Sequence, residues 1–432
     1  MRKKDEAMAV GVGVIGAGTV GGGVIELLLG NTDQIADNTG AGVVLKHVAD
    51  LNTAALADYD LTGVTVSNDA MKLIEDPEVQ VVCELIGGEQ PAKKFILAAM
   101  AAGKHVVTAN KMLLAKAGPE LTAAAVAAGV ELRFEAAVGG TIPIIKAIRE
   151  SLSANHIHAV YGILNGTCNY ILTRMQEEEL EFSDVLQQAI DMGFAETPPD
   201  LDIEGHDTAH KCQILASLCY NTQVDLEQVY VEGITKIRLL DVEYADELGY
   251  DIKLLATTRK IDGEIEARVT PTLVPQEHLL ASVRREFNAV YVESDFADST
   301  FYYGRGAGKK PTASAVLSDI ADIARAQGAA VQPPFRYTHQ LDVRAIGLHR
   351  GRYYMRLTTQ DHPGVLGKVC STLGRHGISI ASCFQHEESD NNPAHIVIMS
   401  HYALESSVVA AVEEIDRETF ITEPTNVVRV LD

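Results

Sequence analysis

Between Glu196 and Lys211 the chain reads Glu-Thr-Pro-Pro-Asp-Leu-Asp-Ile-Glu-Gly-His-Asp-Thr-Ala-His-Lys. Glu196, Asp200, Asp202, Glu204 and Asp207 crowd ahead of one lysine, Lys211. A lysine starts from a reference pKa of ~10.4 and is charged at neutral pH. Beside a reacting oxygen, such an ammonium stabilises developing negative charge and can supply the proton. A Schiff base would need the free amine, made by burial or a nearby cation, and Asp207 would oppose that by holding the lysine charged. A solvated acidic loop would have the same composition. Asp202, His206 and His210 recur at intervals of four, but the Pro-Pro loop and Gly205 argue against helix at Asp202. Two histidines without a third ligand are also a weak zinc signal.

The elements that deliver these groups follow from punctuation and periodicity. The Pro-rich loop passes Gly205 and enters the apolar-periodic segment Ile214, Leu215, Leu218, so it feeds a helix N-terminus. Asp207 and Lys211 then lie one turn apart on one helix face. Upstream, Ile157 to Leu164 reads as a strand ending in Asn165-Gly166-Thr167, followed by helices at about 169–179 and 182–192.

A strand from Met8 to Ile15 leads into Gly16-Ala17-Gly18-Thr19-Val20-Gly21 and an apolar helix through Val24, Ile25, Leu27 and Leu28. This is a dinucleotide-binding fingerprint: Gly16 for the turn, Gly18 for close approach to a pyrophosphate, and Gly21 for helix packing on the sheet. A second strand, Val43 to Ala49, ends at Asp50, whose carboxylate suits a ribose diol. No Lys or Arg follows Asp50 until Lys72. A 2'-phosphate would call for such a cation, so the segment leans towards NAD over NADP.

Strand and helix then alternate: strand 79–86, helix 91–102, strand 105–108, helix 112–128, strand 130–135. The rhythm implies a parallel, doubly wound sheet with ligands at the carboxyl ends of its strands. Lys111, just after a strand, could meet cofactor or substrate there, or could be a solvated helix-start lysine.

With 432 residues, 47% of them hydrophobic, a prior of ~100–200 residues per domain gives two or three domains. Thirty-six Lys+Arg against 59 Asp+Glu leave a net charge of -23, which disfavours nucleic acid and anionic membranes as partners. No signal-peptide core or membrane-length apolar run is present, so the expected location is cytoplasmic. The six cysteines lack CxxC spacing and read as reduced structural thiols.

Seven ordered segments, "GVIGAGTVGGGV", "ELIGG", "GKHVVTANKMLLA", "FEAAVGGTIPII", "GILNGTCNYIL", "GFAETPPDLDIEGHDTAHKCQILASL" and "YYGRGAGKKPTASAVLSDI", span roughly residues 8–330. Together they resemble the homoserine dehydrogenase family. The resemblance implies reversible reduction of L-aspartate 4-semialdehyde to L-homoserine with NAD or NADP, in threonine and methionine biosynthesis. It implies Lys211 as proton donor, Asp207 as its assistant, Glu196 and Asp202 on the substrate, and Lys111 between cofactor and substrate. It further implies Gly306 closing over the nicotinamide and a structural monovalent cation, sodium, at Glu135, Val138, Gly140 and Ile142. The family's second strand often carries an arginine near Ala49; this chain departs there, which puts the phosphate preference in doubt.

Beyond a connector at 331–352, the order βαββαβ, with Asp361-His362-Pro363-Gly364-Val365-Leu366-Gly367 opening a helix, looks like an ACT domain. Free amides at that helix start suit a carboxylate. In this family the expected effector is L-threonine, a purely dimerising module being the alternative. The expected fold class is α/β: a Rossmann-type domain over 1–140, an α+β catalytic and dimerisation domain over 141–330, and the ACT domain over 353–432. Residues 304–330 are expected to pack back on the nucleotide domain. The expected assembly is a homodimer or homotetramer, without a preceding aspartokinase. An ACT-linked 2-hydroxyacid dehydrogenase would need a catalytic histidine and an arginine in suitable motifs, which are not found; a non-catalytic amino-acid sensor would show a decayed acidic loop.

Overall fold

The computed structural model describes residues 9–194, 197–326, 329–385 and 394–432. Two compact units divide the chain: Met1–Ile157, Gln213–Leu226 and Ser294–Gln340 form one, and His158–Cys212, Glu227–Glu293 and Leu341–Asp432 the other.

In the first unit six parallel strands lie in the order Thr65–Ser67, Val43–Ala49, Val10–Ile15, Val81–Glu84, His105–Thr108, Leu132–Arg133. Every residue of Val10–Ile15 is buried, as a central strand covered on both faces requires. The order reverses between Val10–Ile15 and Val81–Glu84, the place where open α/β sheets bind ligands. Helices Thr19–Gly30 and Lys309–Arg325 share one core with these strands through Val24, Ile25, Leu28, Val316 and Ile320. A Cβ on Gly23 would stand 2.7 Å from the Lys309 carbonyl oxygen, so this glycine permits the close helix approach. The strand expected at 130–135 shrinks to Leu132–Arg133, because the backbone turns into a 3-10 segment at Glu135–Ala137.

The second unit is built on a largely antiparallel sheet. Its strands run Phe287–Ser294, Ile157–Ile163, Tyr250–Ile261, Glu264–Pro275, Ile421–Val430, Tyr353–Thr359, Ala394–Ser400, Ile380–Gln385. The long hairpin between Tyr250 and Pro275 turns at Asp262 (φ +52°) and Gly263 (φ +90°), the left-handed pair that matches strand twist. The C-terminal part has the expected βαββαβ order, with helices Val365–Arg375 and Glu405–Ile415 packed on the sheet through Val369, Leu373, Val408 and Ala411. Its last strand pairs antiparallel with Tyr353–Thr359 and, at Thr272↔Arg429 and Leu273↔Val430, parallel with Glu264–Pro275.

Two local departures bear on the site. Helix Gly166–Glu178 starts three residues earlier than expected, because the Asn165 side chain accepts from the Cys168 amide at 2.8 Å and caps it. Asp200–Ile203 is one helical turn rather than open loop. Gly205, at φ +84°, separates that turn from helix His206–Tyr220, so Asp202, His206 and His210 do not share one continuous helix.

Candidate active site

Lys211 lies within the second turn of helix His206–Tyr220 and is 8% exposed. Its Nζ donates to Asp207 Oδ2 at 2.7 Å and to the Leu164 carbonyl oxygen at 2.6 Å. The aspartate–lysine order at i,i+4 is the favourable one on a helix, and the acid also sits in the first turn, where the helix dipole favours negative charge. Asp202 joins the same cluster from the preceding turn: Asn165 Nδ2 donates to Asp202 Oδ1 at 2.7 Å and to Asp207 Oδ2 at 3.0 Å. The structure therefore brings Lys211, Asp207 and Asp202 together. Glu196 lies outside the described residues.

The loop beneath this cluster is braced from below. Ile234 N donates to the Ile203 carbonyl at 2.8 Å, and a Cβ on Gly233 would stand 2.2 Å from that same oxygen. Glu232, one residue earlier, receives Arg429 Nη1 at 2.8 Å. Arg429 Nε donates in turn to Glu405 Oε2 at 3.0 Å.

In the first unit Gly16 (φ +92°) and Gly18 form the turn at the sheet's reversal point, and Thr19, Val20 and Gly21 open the helix that follows it. A Cβ on Gly21 would lie 1.8 Å from the Gly16 carbonyl oxygen, whereas one on Gly18 would meet nothing within 4 Å. Gly18 thus keeps an approach to the helix N-terminus open, and Gly21 keeps the turn closed. Asp50 Oδ2 accepts from Ala17 N at 2.5 Å and Oδ1 from Asn52 N at 2.7 Å. The turn, the open helix start and the acid together fit a dinucleotide.

Lys111 opens helix Lys111–Ala128, which the Asn110 side chain caps by accepting from Leu113 N at 3.1 Å. Asn110 Nδ2 also holds the Gly88 carbonyl at 2.7 Å. Glu84, fully buried at the strand end, accepts from Thr108 Oγ1 at 2.8 Å and Ile86 N at 2.9 Å. Burial pushes its carboxyl above the usual carboxylate range.

Glu135 is 2% exposed; its two oxygens accept from Ile145 N and Lys146 N, both at 2.9 Å. Burial, and then the Asp319 carboxylate, push it up to about 8. Val138, Gly140 and Ile142 follow in the same buried loop. A Cβ on Gly140, at φ +57°, would stand 2.4 Å from the Gly306 carbonyl oxygen, so the Glu135–Ile142 loop and Gly306 are neighbours. Among the described residues, no three His, Cys, Asp or Glu side chains group as metal ligands.

Sequence reasoning assigned no role to Leu164, Asn165 or Glu84. Asn165 could have been found from its place: an Asn-Gly pair closing a strand immediately before a helix is an N-cap signature.

A glycine turn at the reversal point of a parallel sheet makes the first unit a nucleotide-binding fold, and the second unit by itself carries a buried lysine–carboxylate set. Family models for the NAD-binding domain of homoserine dehydrogenase, for homoserine dehydrogenase and for the ACT domain match residues 16–135, 143–321 and 353–419. A homoserine dehydrogenase of Pseudomonas aeruginosa is 41% identical over 431 residues, 98% of each chain. One from Neisseria gonorrhoeae is 41% identical over 428 residues, again 98% of each chain. The crystal structure of a homoserine dehydrogenase from Thiobacillus denitrificans superposes with a TM-score of 0.91 at 40% identity, covering 98% of both chains. The chain belongs to the homoserine dehydrogenase family, and it is an NAD(P)-dependent oxidoreductase with a C-terminal ACT domain.

Proposed function

We propose that Lys211 is the proton donor to the aldehyde oxygen of L-aspartate 4-semialdehyde in its reversible reduction to L-homoserine. The observation that carries this reading is the buried Lys211 ammonium, 2.7 Å from Asp207 Oδ2 and 2.6 Å from the Leu164 carbonyl. The bound nicotinamide supplies or accepts the reducing equivalent. As negative charge builds on the aldehyde oxygen, Lys211 stabilises it and passes a proton. Asp207 fixes the lysine's direction, and Asp202 supplies a further acceptor for polar groups of the substrate. In the reverse direction Lys211 must accept the proton, so homoserine oxidation improves at alkaline pH.

Gly16, Gly18, Thr19, Val20 and Gly21 hold the pyrophosphate in this reading, with Asp50 on the ribose diol, Lys111 as a cation for cofactor or substrate, and Gly306 at the nicotinamide. The absence of Lys and Arg between Asp50 and Lys72 favours NAD over NADP. At Glu135, burial and then the Asp319 carboxylate make loss of the carboxyl proton costly, and a bound cation would offset that cost. That donor chemistry fits a monovalent cation such as sodium, held with the main chain of Val138, Gly140 and Ile142. The ACT domain binds an amino acid, for which L-threonine, as end product, is the proposed effector, and the assembly is a homodimer or homotetramer.

One assay tests the core of this: oxidation of NADH and NADPH at 340 nm with aspartate semialdehyde, with and without threonine. Turnover with either nucleotide is expected, and none with both would overturn the reaction. Lys211→Ala should abolish turnover while nucleotide affinity stays; loss of affinity alone would overturn the role given to this lysine.

A further inference from the structure

The two carboxylates beside Lys211 belong to different pieces of backbone. Asp202 sits on the single turn Asp200–Ile203 and Asp207 on helix His206–Tyr220, with Gly205 at φ +84° between them. No continuous helix sets their separation. One side chain spans it: Asn165, 5% exposed, whose Nδ2 reaches Asp202 Oδ1 at 2.7 Å and Asp207 Oδ2 at 3.0 Å. A primary amide has two N–H donors, and each is used on one acid. Its oxygen is used as well, accepting from Cys168 N at 2.8 Å.

The position of Asn165 gives this bridge its leverage. It is adjacent to Leu164, whose carbonyl accepts from Lys211 Nζ at 2.6 Å. Two consecutive residues after strand Ile157–Ile163 therefore hold the ammonium by main chain and both acids by side chain. Asp207 Oδ2 accepts from Lys211 and from Asn165, so its orientation is fixed from two sides. An amide does this without adding charge to the site.

We infer that Asn165 is a positioning residue for proton transfer: its amide ties Asp202 to Asp207 and thereby aims Lys211 at the reacting oxygen. The inference rests on the roles proposed above for Lys211 and Asp207. Misplacing a reacting group by about 1 Å can cost about 100-fold in rate, which sets the size of the effect.

The test separates capping from bridging. Asn165→Ser keeps a favoured N-cap and removes the amide that spans both acids; Asn165→Asp keeps the acceptor for Cys168 N and replaces the donors with a third carboxylate. For homoserine oxidation, Asn165→Ser should lower kcat by about 100-fold with the nucleotide KM and thermal midpoint nearly unchanged. In Asn165→Asp the loss should be at least as large, and the alkaline limb of kcat should move to higher pH, because the added charge favours the ammonium. Among the described residues, Asp207 pairs with that ammonium, and Cys168 lies near it together with Asp202 and Glu204. Near-native kcat in either folded variant, with Lys211→Ala inactive, would overturn the inference alone. An active Lys211→Ala would overturn the reading beneath it. Should the serine variant fail to fold, the nearly isosteric aspartate variant decides the matter by the same two readouts.

Discussion

Arg356 and Asp241 are joined through both oxygens of a carboxylate with no solvent access: Nε lies 2.7 Å from Oδ1 and Nη2 3.2 Å from Oδ2. Tyr354 Oη and Asn426 Nδ2 donate to the same carboxylate at 2.9 and 3.1 Å. The pair links the ACT strand Tyr353–Thr359 to helix Leu239–Glu247. Removing one partner strands a buried charge, which typically costs about 3–5 kcal/mol. Arg356→Met and Asp241→Leu should each lose stability on that scale in urea titrations. The double variant should recover part of it, since an apolar replacement of both charges removes the uncompensated one.

Gly18 and Gly21 should part company under the same substitution. Gly18→Ala places its Cβ in open space, so the thermal midpoint should hold while nucleotide KM rises. Gly21→Ala drives its Cβ into the Gly16 carbonyl and should lower the midpoint as well. Calorimetry and nucleotide titration on the two variants check the pair, and equal midpoints would contradict the packing argument.

Gly233→Ala is expected to harm catalysis from outside the reacting cluster. Its Cβ would fall 2.2 Å from Ile203 O and 2.4 Å from Glu204 Cα, both main-chain atoms that cannot rotate away. Overpacking of this kind costs about 1–3 kcal/mol, and the displaced segment carries Asp202 on one side and Asp207 on the other. A fall in kcat together with a lower urea midpoint is expected.

His349 should shape the acid limb of stability. Its ring is 4% exposed, with Nδ1 2.9 Å from Glu266 Oε2. That carboxylate would favour the imidazolium, but burial, with the Arg268 and Arg259 guanidiniums, outweighs it and holds the ring down at about 3. An unfolded histidine has a pKa of ~6.5. The folded value is lower, so this contribution is fully present above ~6.5 and is lost as pH falls from ~6.5 towards 3. His349→Gln should flatten urea stability across that window relative to the native chain; an unchanged slope would contradict a neutral buried ring.

Five strands of the nucleotide sheet were legible because they are largely apolar runs closed by turn signals, and a parallel sheet buries both strand faces; the edge strand Thr65–Ser67, three residues long and largely exposed, went unread. Val43–Ala49 and His105–Thr108 fall on their expected residues. The hairpin Tyr250–Pro275 went unread, although Asp262-Gly263 between apolar runs is a hairpin signal; its burial on both faces hides the alternation that marks a strand. At the site, the spacing of Asp207 and Lys211 predicted their shared helix face, since i,i+4 geometry is local. What local spacing cannot express is the reach of Asn165 across 37 and 42 residues to Asp202 and Asp207. The short turn at Asp200–Ile203 was masked by the two prolines, whose second member supplies the N-cap at Pro199.

Strand Ile421–Val430 belongs to two structures at once: it completes the ACT fold and, through Arg429 and Val430, hydrogen-bonds along Glu264–Pro275. Leu431 N adds a bond to the Leu273 carbonyl at 2.8 Å. Trimming the chain after the connector would therefore strip a neighbour from Glu264–Pro275, leave unpaired amides along a fresh sheet margin open to self-association, and abandon the Glu232 carboxylate without its guanidinium. The ACT module is thus sewn into the fabric of the sheet beside it, and a deletion mutant would report on a damaged sheet as much as on the missing module.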